Sequence, residues 1–138
     1  MLEFANALVL MLLGAMLFFP SVVAPVVFTS LPESHAGAFL RSMFPRYYTF
    51  MIALSLIAAL LFLVADGGAA DLKAVICFFV GVSTLWVRQW LLPRINTARD
   101  LQLAGDVAAG QRFERDHKLS VSINVLQLFL LIGIQFVQ

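Results

Sequence analysis

The sequence predicts an all-α, polytopic membrane protein: an antiparallel bundle of four transmembrane helices, with helices 3 and 4 extended into the cytoplasm. The first observation is composition, since 62% of the residues are hydrophobic and only 12% are charged. A soluble domain is about half apolar and about a quarter charged. The second is that four apolar segments each reach the ~20 residues needed to cross a bilayer. Residues 1–138 are therefore expected to form a single integral membrane domain.

The four predicted spans cover about residues 4–29, 47–65, 73–92 and 119–137. Between the first two, Pro32 and Pro45 predict a short re-entrant or interfacial loop. The second connection, ADGGAAD, predicts a tight turn. The third connection has a helical pattern with breaks at Gly105 and Gly110, so helices 3 and 4 are expected to meet in a polar hairpin outside the membrane. An irregular loop is the alternative there.

Basic residues near the helix ends predict the orientation. Seven of them lie in the first and third connections and only Lys73 lies on the opposite side. Because Lys and Arg are retained on the cytoplasmic side, both connections are expected there, with both termini periplasmic or exterior. The first ten residues contain no Lys or Arg, which favours a retained spanning helix over a signal peptide. The seven residues are Arg41, Arg46, Arg94, Arg99, Arg112, Arg115 and Lys118.

Polar residues share one face of helix 4. At 100° per residue they fall at about 0°, −60°, −20° and −80°. Polar side chains in a spanning helix favour the bundle interior over lipid, so this face is predicted to point inward. The four residues are His117, Ser120, Asn124 and Gln127.

Helix 3 has a second face of this kind, which contains Arg88. An intramembrane arginine is a candidate functional residue that needs a partner. Arg88 lies about five residues, or ~7 Å, inside the cytoplasmic end of the predicted span. Its expected partner is Asn124, Asp116 or an anionic ligand, with snorkelling toward the interface as the alternative. The other members of the face are Cys77, Gly81 and Thr84.

These faces together predict a hypothetical ligand-binding site in the cytoplasmic half of the bundle, lined by Tyr48, Arg88, His117, Ser120 and Asn124. Plain interhelical hydrogen bonding by Ser120 and Asn124 is the structural alternative. No catalytic residue is predicted, because the sequence has no Ser/His/Asp set, no carboxylate pair within the spans and no phosphate-binding loop. A soft-metal site is disfavoured by a single cysteine and scattered methionines.

Several motifs resemble the DUF4149 family, the bacterial relatives of transmembrane protein 205. They are FFPSVVAPVVF, AGAFLRSMFPRYY, PRINTARD and HKLSVSINVLQL. Lys118 stands where the family pattern has a small residue, which argues against close helix packing there. The resemblance implies a multi-pass protein of the bacterial inner membrane. It implies no particular activity, because the family has no settled molecular activity. The matching positions are Pro25, Phe28, Phe44, Pro45, Tyr48, Pro93, Asn96, His117, Ser120 and Asn124.

Two classes of function fit the sequence. The first is a non-enzymatic membrane protein, without a cofactor, that binds or passes a small ligand or ion, or assists a membrane complex, through a polar seam. Its partners are the lipid bilayer and a homo-oligomer or larger membrane complex. The alternative is a haem- or porphyrin-binding protein resembling the membrane-bound protoporphyrinogen oxidases, with His117 as axial ligand and Arg88 or Lys118 paired with propionates. Nucleic-acid binding is not expected, because no basic patch with interleaved aromatic residues occurs.

Overall fold

The computed structural model describes residues 1–65 and 67–137. Four long helices make up this part of the chain, and each is long and apolar enough to cross a membrane. They are α1 (Leu2–Ser30), α2 (Glu33–Ala65), α3 (Gly68–Leu103) and α4 (Val107–Phe136). No strand occurs in the described ranges. The predicted all-α class with four spanning helices is confirmed, and every helix is longer than its predicted span.

The first connection differs from the prediction. Helix α2 begins at Glu33 and continues through Pro45, so most of the predicted loop is helical. The prediction treated Pro45 as a break because proline lacks an N–H and crowds the preceding turn. Side chains bond to the backbone carbonyls around it: Thr49 Oγ1 donates to the Pro45 carbonyl at 2.8 Å, and Arg46 donates to the Ser42 carbonyl at 2.6 Å. Only the short stretch at Leu31 and Pro32 separates α1 from α2.

Two helices contain a π-helical segment, Phe19–Val23 in α1 and Val87–Leu91 in α3. Pro20 lies within the first segment, and Pro93 follows the second. A proline cannot donate the usual bond to the carbonyl four residues earlier, and a wider turn is one way to accommodate this loss. Neither proline ends its helix, so α1 and α3 are each one uninterrupted helix.

Glycines with positive φ mark the two remaining turns. Gly67, at φ +123°, precedes the first residue of α3, and Gly105, at φ +101°, follows the end of α3. Such angles are accessible to glycine at little cost. The break predicted at Gly105 is confirmed, whereas the one at Gly110 is wrong because Gly110 lies inside α4. Asp66 of the predicted ADGGAAD turn lies outside the described residues.

Helix α2 packs between α1 and α3, and α4 packs mainly on α3. Helices α2 and α3 approach each other closely at Gly81. A Cβ atom at this position would lie 2.6 Å from Leu56 Cδ2 and 3.0 Å from Ser55 Oγ. Small residues allow helices in a membrane to approach in this way. Residues of all four helices form the buried core, among them Val9, Leu12, Met51, Phe62, Cys77, Val80 and Leu131.

Ion pairs join the helices at one end of the bundle, where α2 begins, α3 ends and α4 begins. We call this the arginine-rich end. Arg41 on α2 makes two bonds to Asp100 on α3, at 2.8 and 3.1 Å, and Arg99 on α3 pairs with Glu33 on α2 at 2.7 Å. The Arg99 guanidinium also lies 5.4 Å from the ring centre of Phe113 on α4. Exposed pairs of this kind add little net stability, because water screens them, so this network chiefly aligns the helices. The predicted helical hairpin of helices 3 and 4 is confirmed here.

Candidate functional site

An open groove of about 550 Å³ lies between α2 and α3 at the arginine-rich end. Five of its six lining residues come from α2 and one comes from α3, so it forms only because the two helices pack side by side. The lining residues are Arg41, Ser42, Pro45, Arg46, Thr49 and Arg88.

The α2 residues reach the groove because of their helical spacing. Arg41, Pro45 and Thr49 follow one another at intervals of four, as do Ser42 and Arg46, so all five share one side of the helix. Sequence analysis assigned the arginines only to membrane orientation, because Pro45 was taken as the end of a loop. The i, i+4 spacing of these residues could have indicated their shared side, but only if the helix was predicted to continue through Pro45.

Arg88 is half-buried and is held by α2 rather than by α4. Its Nε donates to the Pro45 carbonyl at 3.2 Å. Among residues 1–65 and 67–137, its two terminal nitrogens have no hydrogen-bond acceptor. The expected protein partners, Asn124 and Asp116, are therefore not its partners. The prediction failed because the predicted second span begins at Tyr47, so Pro45 was not part of the helix that faces Arg88.

The groove carries uncompensated positive charge. Arg41 is neutralised by its two bonds to Asp100. In the described part of the chain, neither Arg46 nor Arg88 has a carboxylate within ion-pair distance. Arg46 instead donates to the carbonyl and the hydroxyl of Ser42, at 2.6 and 2.8 Å, both within its own helix. Two guanidinium groups thus border the same opening without a counter-charge.

Tyr48, a predicted site residue, lies in the core and not in the groove. Its side chain is 7% exposed and belongs to an aromatic cluster at the contact of α1 with α2. Its ring centre lies 5.7 Å from that of Phe44, and Phe19 on α1 lies 5.2 Å from Phe44 and 5.1 Å from Tyr47. This cluster packs the π-helical segment of α1 against α2.

The polar residues of α4 are not all turned inward. His117 is exposed, and its ring stacks on Phe113 with centres 5.7 Å apart. Ser120 donates to the His117 carbonyl at 2.8 Å, and Asn124 is half-buried. The inward orientation was therefore wrong for His117 and correct for Gln127, which is 1% exposed. The buried face of α4 is centred about 80° around the helix from His117. Helical periodicity gives the angles between residues but does not tell which of these directions faces the bundle.

Gln127 makes polar contacts between α4 and α3. Its Nε2 lies 2.7 Å from Ser83 Oγ, 3.1 Å from Thr84 Oγ1 and 3.4 Å from the Val80 carbonyl. Every fully buried side-chain nitrogen or oxygen in residues 1–65 and 67–137 has a partner. This part of the predicted polar seam therefore joins helices, and its polar groups are satisfied within the protein.

Asp116 forms a second polar contact between the extended parts of α3 and α4. Its carboxylate is 6% exposed and lies 3.1 Å from Arg115 Nε and 3.4 Å from Arg94 Nε. A buried carboxylate without a partner would be strongly destabilising, and the two arginines supply its partners. Asp116 thus joins α3 and α4 within the hairpin. Because Asp116 is buried and the next residue is His117, the imidazole points away from the buried side of α4.

Comparison with known proteins identifies the family. The family model "Domain of unknown function (DUF4149)" matches residues 7–103. This range contains every residue of the groove and ends before His117, Ser120 and Asn124. Curated proteins and solved structures give no match. The predicted family is confirmed on the first three helices, without support for the relation to transmembrane protein 205. The chain is a helical membrane protein that belongs to the DUF4149 family.

Proposed function

We propose that the protein is a non-enzymatic membrane protein that binds a small anionic ligand in the groove between α2 and α3. The observation that carries this proposal is the state of Arg88. The side chain is half-buried and positioned by its Nε bond to the Pro45 carbonyl, while its terminal nitrogens have no acceptor in the described chain. A guanidinium presents these donors as a planar fork that suits two oxygens of a carboxylate, sulfate or phosphate.

The charges around the groove support the same function. Arg46 and Arg88 border one opening without a carboxylate from the described residues, so an anion between them would relieve their mutual repulsion. Arg88 also lies in the π-helical segment Val87–Leu91, and such segments are frequent at functional sites.

The shape of the site favours binding over passage through the bundle. The groove is open along the side of α2 and α3. By contrast, hydrogen bonds join Gln127 on α4 to Ser83 and Thr84 on α3. An ion that moved along this seam would have to displace them. A surface site is therefore the function that the arrangement supports best.

Thermal unfolding of the protein in a neutral detergent tests the proposal. We expect sulfate, phosphate and a dicarboxylate to raise the Tm of the wild type in a saturable manner, relative to NaCl at equal ionic strength. A ligand at a hundred times its Kd stabilises a protein by about 2.7 kcal/mol. The Arg88→Gln variant should lose this response, whereas the matched control Lys118→Gln, which removes an exposed charge on α4, should keep it. A response that is equal in Arg88→Gln and wild type would refute the proposal.

The alternative function, haem binding at His117, receives no specific support from the site. The imidazole lies on the exposed side of α4 against Phe113, so haem would have to bind outside the bundle. The absorbance spectrum of the purified protein with added haem tests this alternative. A Soret band that His117→Ala abolishes would favour it over anion binding.

A further inference from the structure

We propose that the anion bound in the groove is a phosphate group, and that an anionic phospholipid of the surrounding leaflet supplies it. This inference rests on the proposed anion-binding function and names the ligand class of the same site. Its grounds are the level of the groove along the spanning helices, the apolar surface next to it, and the charge and geometry of its arginines.

The groove lies at the boundary of the predicted spans. The span of α2 is predicted to begin at about residue 47, directly after Arg46, and that of α3 to end at about residue 92. Arg41 and Ser42 therefore lie outside the apolar segment. Arg88 lies about five residues, or ~7 Å, inside it. The polar headgroup region borders the hydrocarbon core at this level, so a groove here is level with phospholipid phosphates.

An apolar ridge continues from the groove along α2. At 100° per residue, Phe50, Ile57 and Leu60 lie at about +40°, +20° and −40° from Arg46, on the same side of the helix. Their side chains are 44%, 48% and 60% exposed. A lipid with its phosphate at Arg46 and Arg88 would place its acyl chains along this ridge. A free inorganic anion would have no contact with the ridge, and this difference favours an amphiphilic ligand.

The basic groups suit a phosphate in the sign of their charge and in their geometry. Guanidinium groups bind phosphate oxygens through pairs of parallel hydrogen bonds. The phosphodiester of phosphatidylglycerol carries one negative charge, and the groove has two arginines without a carboxylate partner among the described residues. Phosphatidylcholine has the same phosphodiester, but its choline group cancels the charge, so the groove should prefer the anionic lipid.

The test compares lipids and soluble phosphates on the detergent-purified protein by thermal unfolding and native mass spectrometry. We expect phosphatidylglycerol to raise the Tm in a saturable manner and to remain bound in the mass spectrum, while phosphatidylcholine does neither. Glycerol 3-phosphate and inorganic phosphate should require at least ~10-fold higher concentrations, because they lack the contact with the ridge. Arg88→Gln and Arg46→Gln should each weaken phosphatidylglycerol binding ~10-fold or more, whereas Lys118→Gln should not.

Arg46→Gln keeps the test valid if Arg88→Gln folds poorly. Among the described residues Arg46 donates only to Ser42 of its own helix, so we expect its loss to leave the packing of α2 on α3 unchanged. Wild-type affinity for phosphatidylglycerol in Arg46→Gln, or in Arg88→Gln if that variant folds, would overturn the phosphate site. Glycerol 3-phosphate as effective as phosphatidylglycerol would keep the phosphate site and overturn its lipid source.

Two further outcomes separate this inference from the proposed function. If sulfate or a dicarboxylate stabilises the wild type through Arg88, but phosphatidylglycerol acts no better than phosphatidylcholine, anion binding stands and the lipid inference is wrong. If neither the small anions nor phosphatidylglycerol acts through Arg88, both fail.

Discussion

Replacing Gly81 by alanine tests how closely α2 and α3 pack. The added Cβ would lie 2.6 Å from Leu56 Cδ2, 2.8 Å from Leu56 Cγ and 3.0 Å from Ser55 Oγ. Because Cγ is also too close, rotating the Leu56 methyl group does not remove the clash, and the side chain or the helix must shift. The matched control is Gly14→Ala in α1, where nothing lies within 4 Å of the new Cβ.

The expected magnitude follows from the comparison of the two variants. Alanine is favoured over glycine inside a helix by up to about 1 kcal/mol, and this gain applies to both positions. Only Gly81→Ala carries the cost of overpacking, typically about 1–3 kcal/mol. We therefore expect the free energy of unfolding of Gly81→Ala to lie about 1–3 kcal/mol below that of Gly14→Ala.

Titration of the micelle-bound protein with a denaturing detergent, followed by circular dichroism, measures this difference. Adding Leu56→Ala to Gly81→Ala should recover part of the loss, because it removes the two closest atoms. If Gly81→Ala and Gly14→Ala agree within about 0.5 kcal/mol, the ordinary scatter of surface substitutions, the close approach at Gly81 is not real.

Two further predictions concern α4. Gln127→Met should lower the free energy of unfolding by roughly 1–2 kcal/mol, because methionine cannot donate the two hydrogen bonds of the amide. Interhelical hydrogen bonds in membrane proteins contribute ~0.6 kcal/mol each on average and up to ~1.7 kcal/mol. In the described part of the chain, the control Gln135→Met loses only a bond within its own helix. An equal loss of unfolding free energy in both variants would contradict the interhelical role. At the start of α4, the Ala109 N–H and then Arg112 hold the pKa of the Asp106 carboxyl below its usual value. Its stabilisation is therefore complete above the unfolded pKa of ~3.9 and is lost as the pH falls through the lower folded pKa. The Tm of the wild type should consequently fall more steeply below ~pH 4 than that of Asp106→Asn, and parallel curves would refute the assignment.

The family match and the structure together place the most informative part of the molecule on α2 and α3. Residues 7–103 match the DUF4149 model, and Arg41, Arg46 and Arg88 all lie in this range. His117 and Asn124, which the sequence singled out on α4, lie beyond it. Mutagenesis of family members should therefore begin with the groove, where two guanidinium groups lie without a carboxylate partner among the described residues.

Local properties of the sequence determined the fold class and the turn between α3 and α4. Four apolar runs long enough to cross a bilayer are a property of composition and length, so no tertiary information was needed to count the helices. The turn at Gly105 and the helical character of the hairpin were likewise predictable from short-range signals. Relative angles on α3 correctly placed Cys77, Gly81 and Thr84 together in the core.

The tertiary structure alone decided which side of α4 is buried and which helix holds Arg88. Helical periodicity gives the angle between two residues, whereas the direction in which a face points depends on its neighbours. The neighbour of Arg88 is α2, which continues through Pro45 and accepts the Arg88 Nε–H bond at the Pro45 carbonyl. The groove at Arg46 and Arg88 thus lies on residues visible in the sequence, but only the packing of α2 on α3 brings them to one opening.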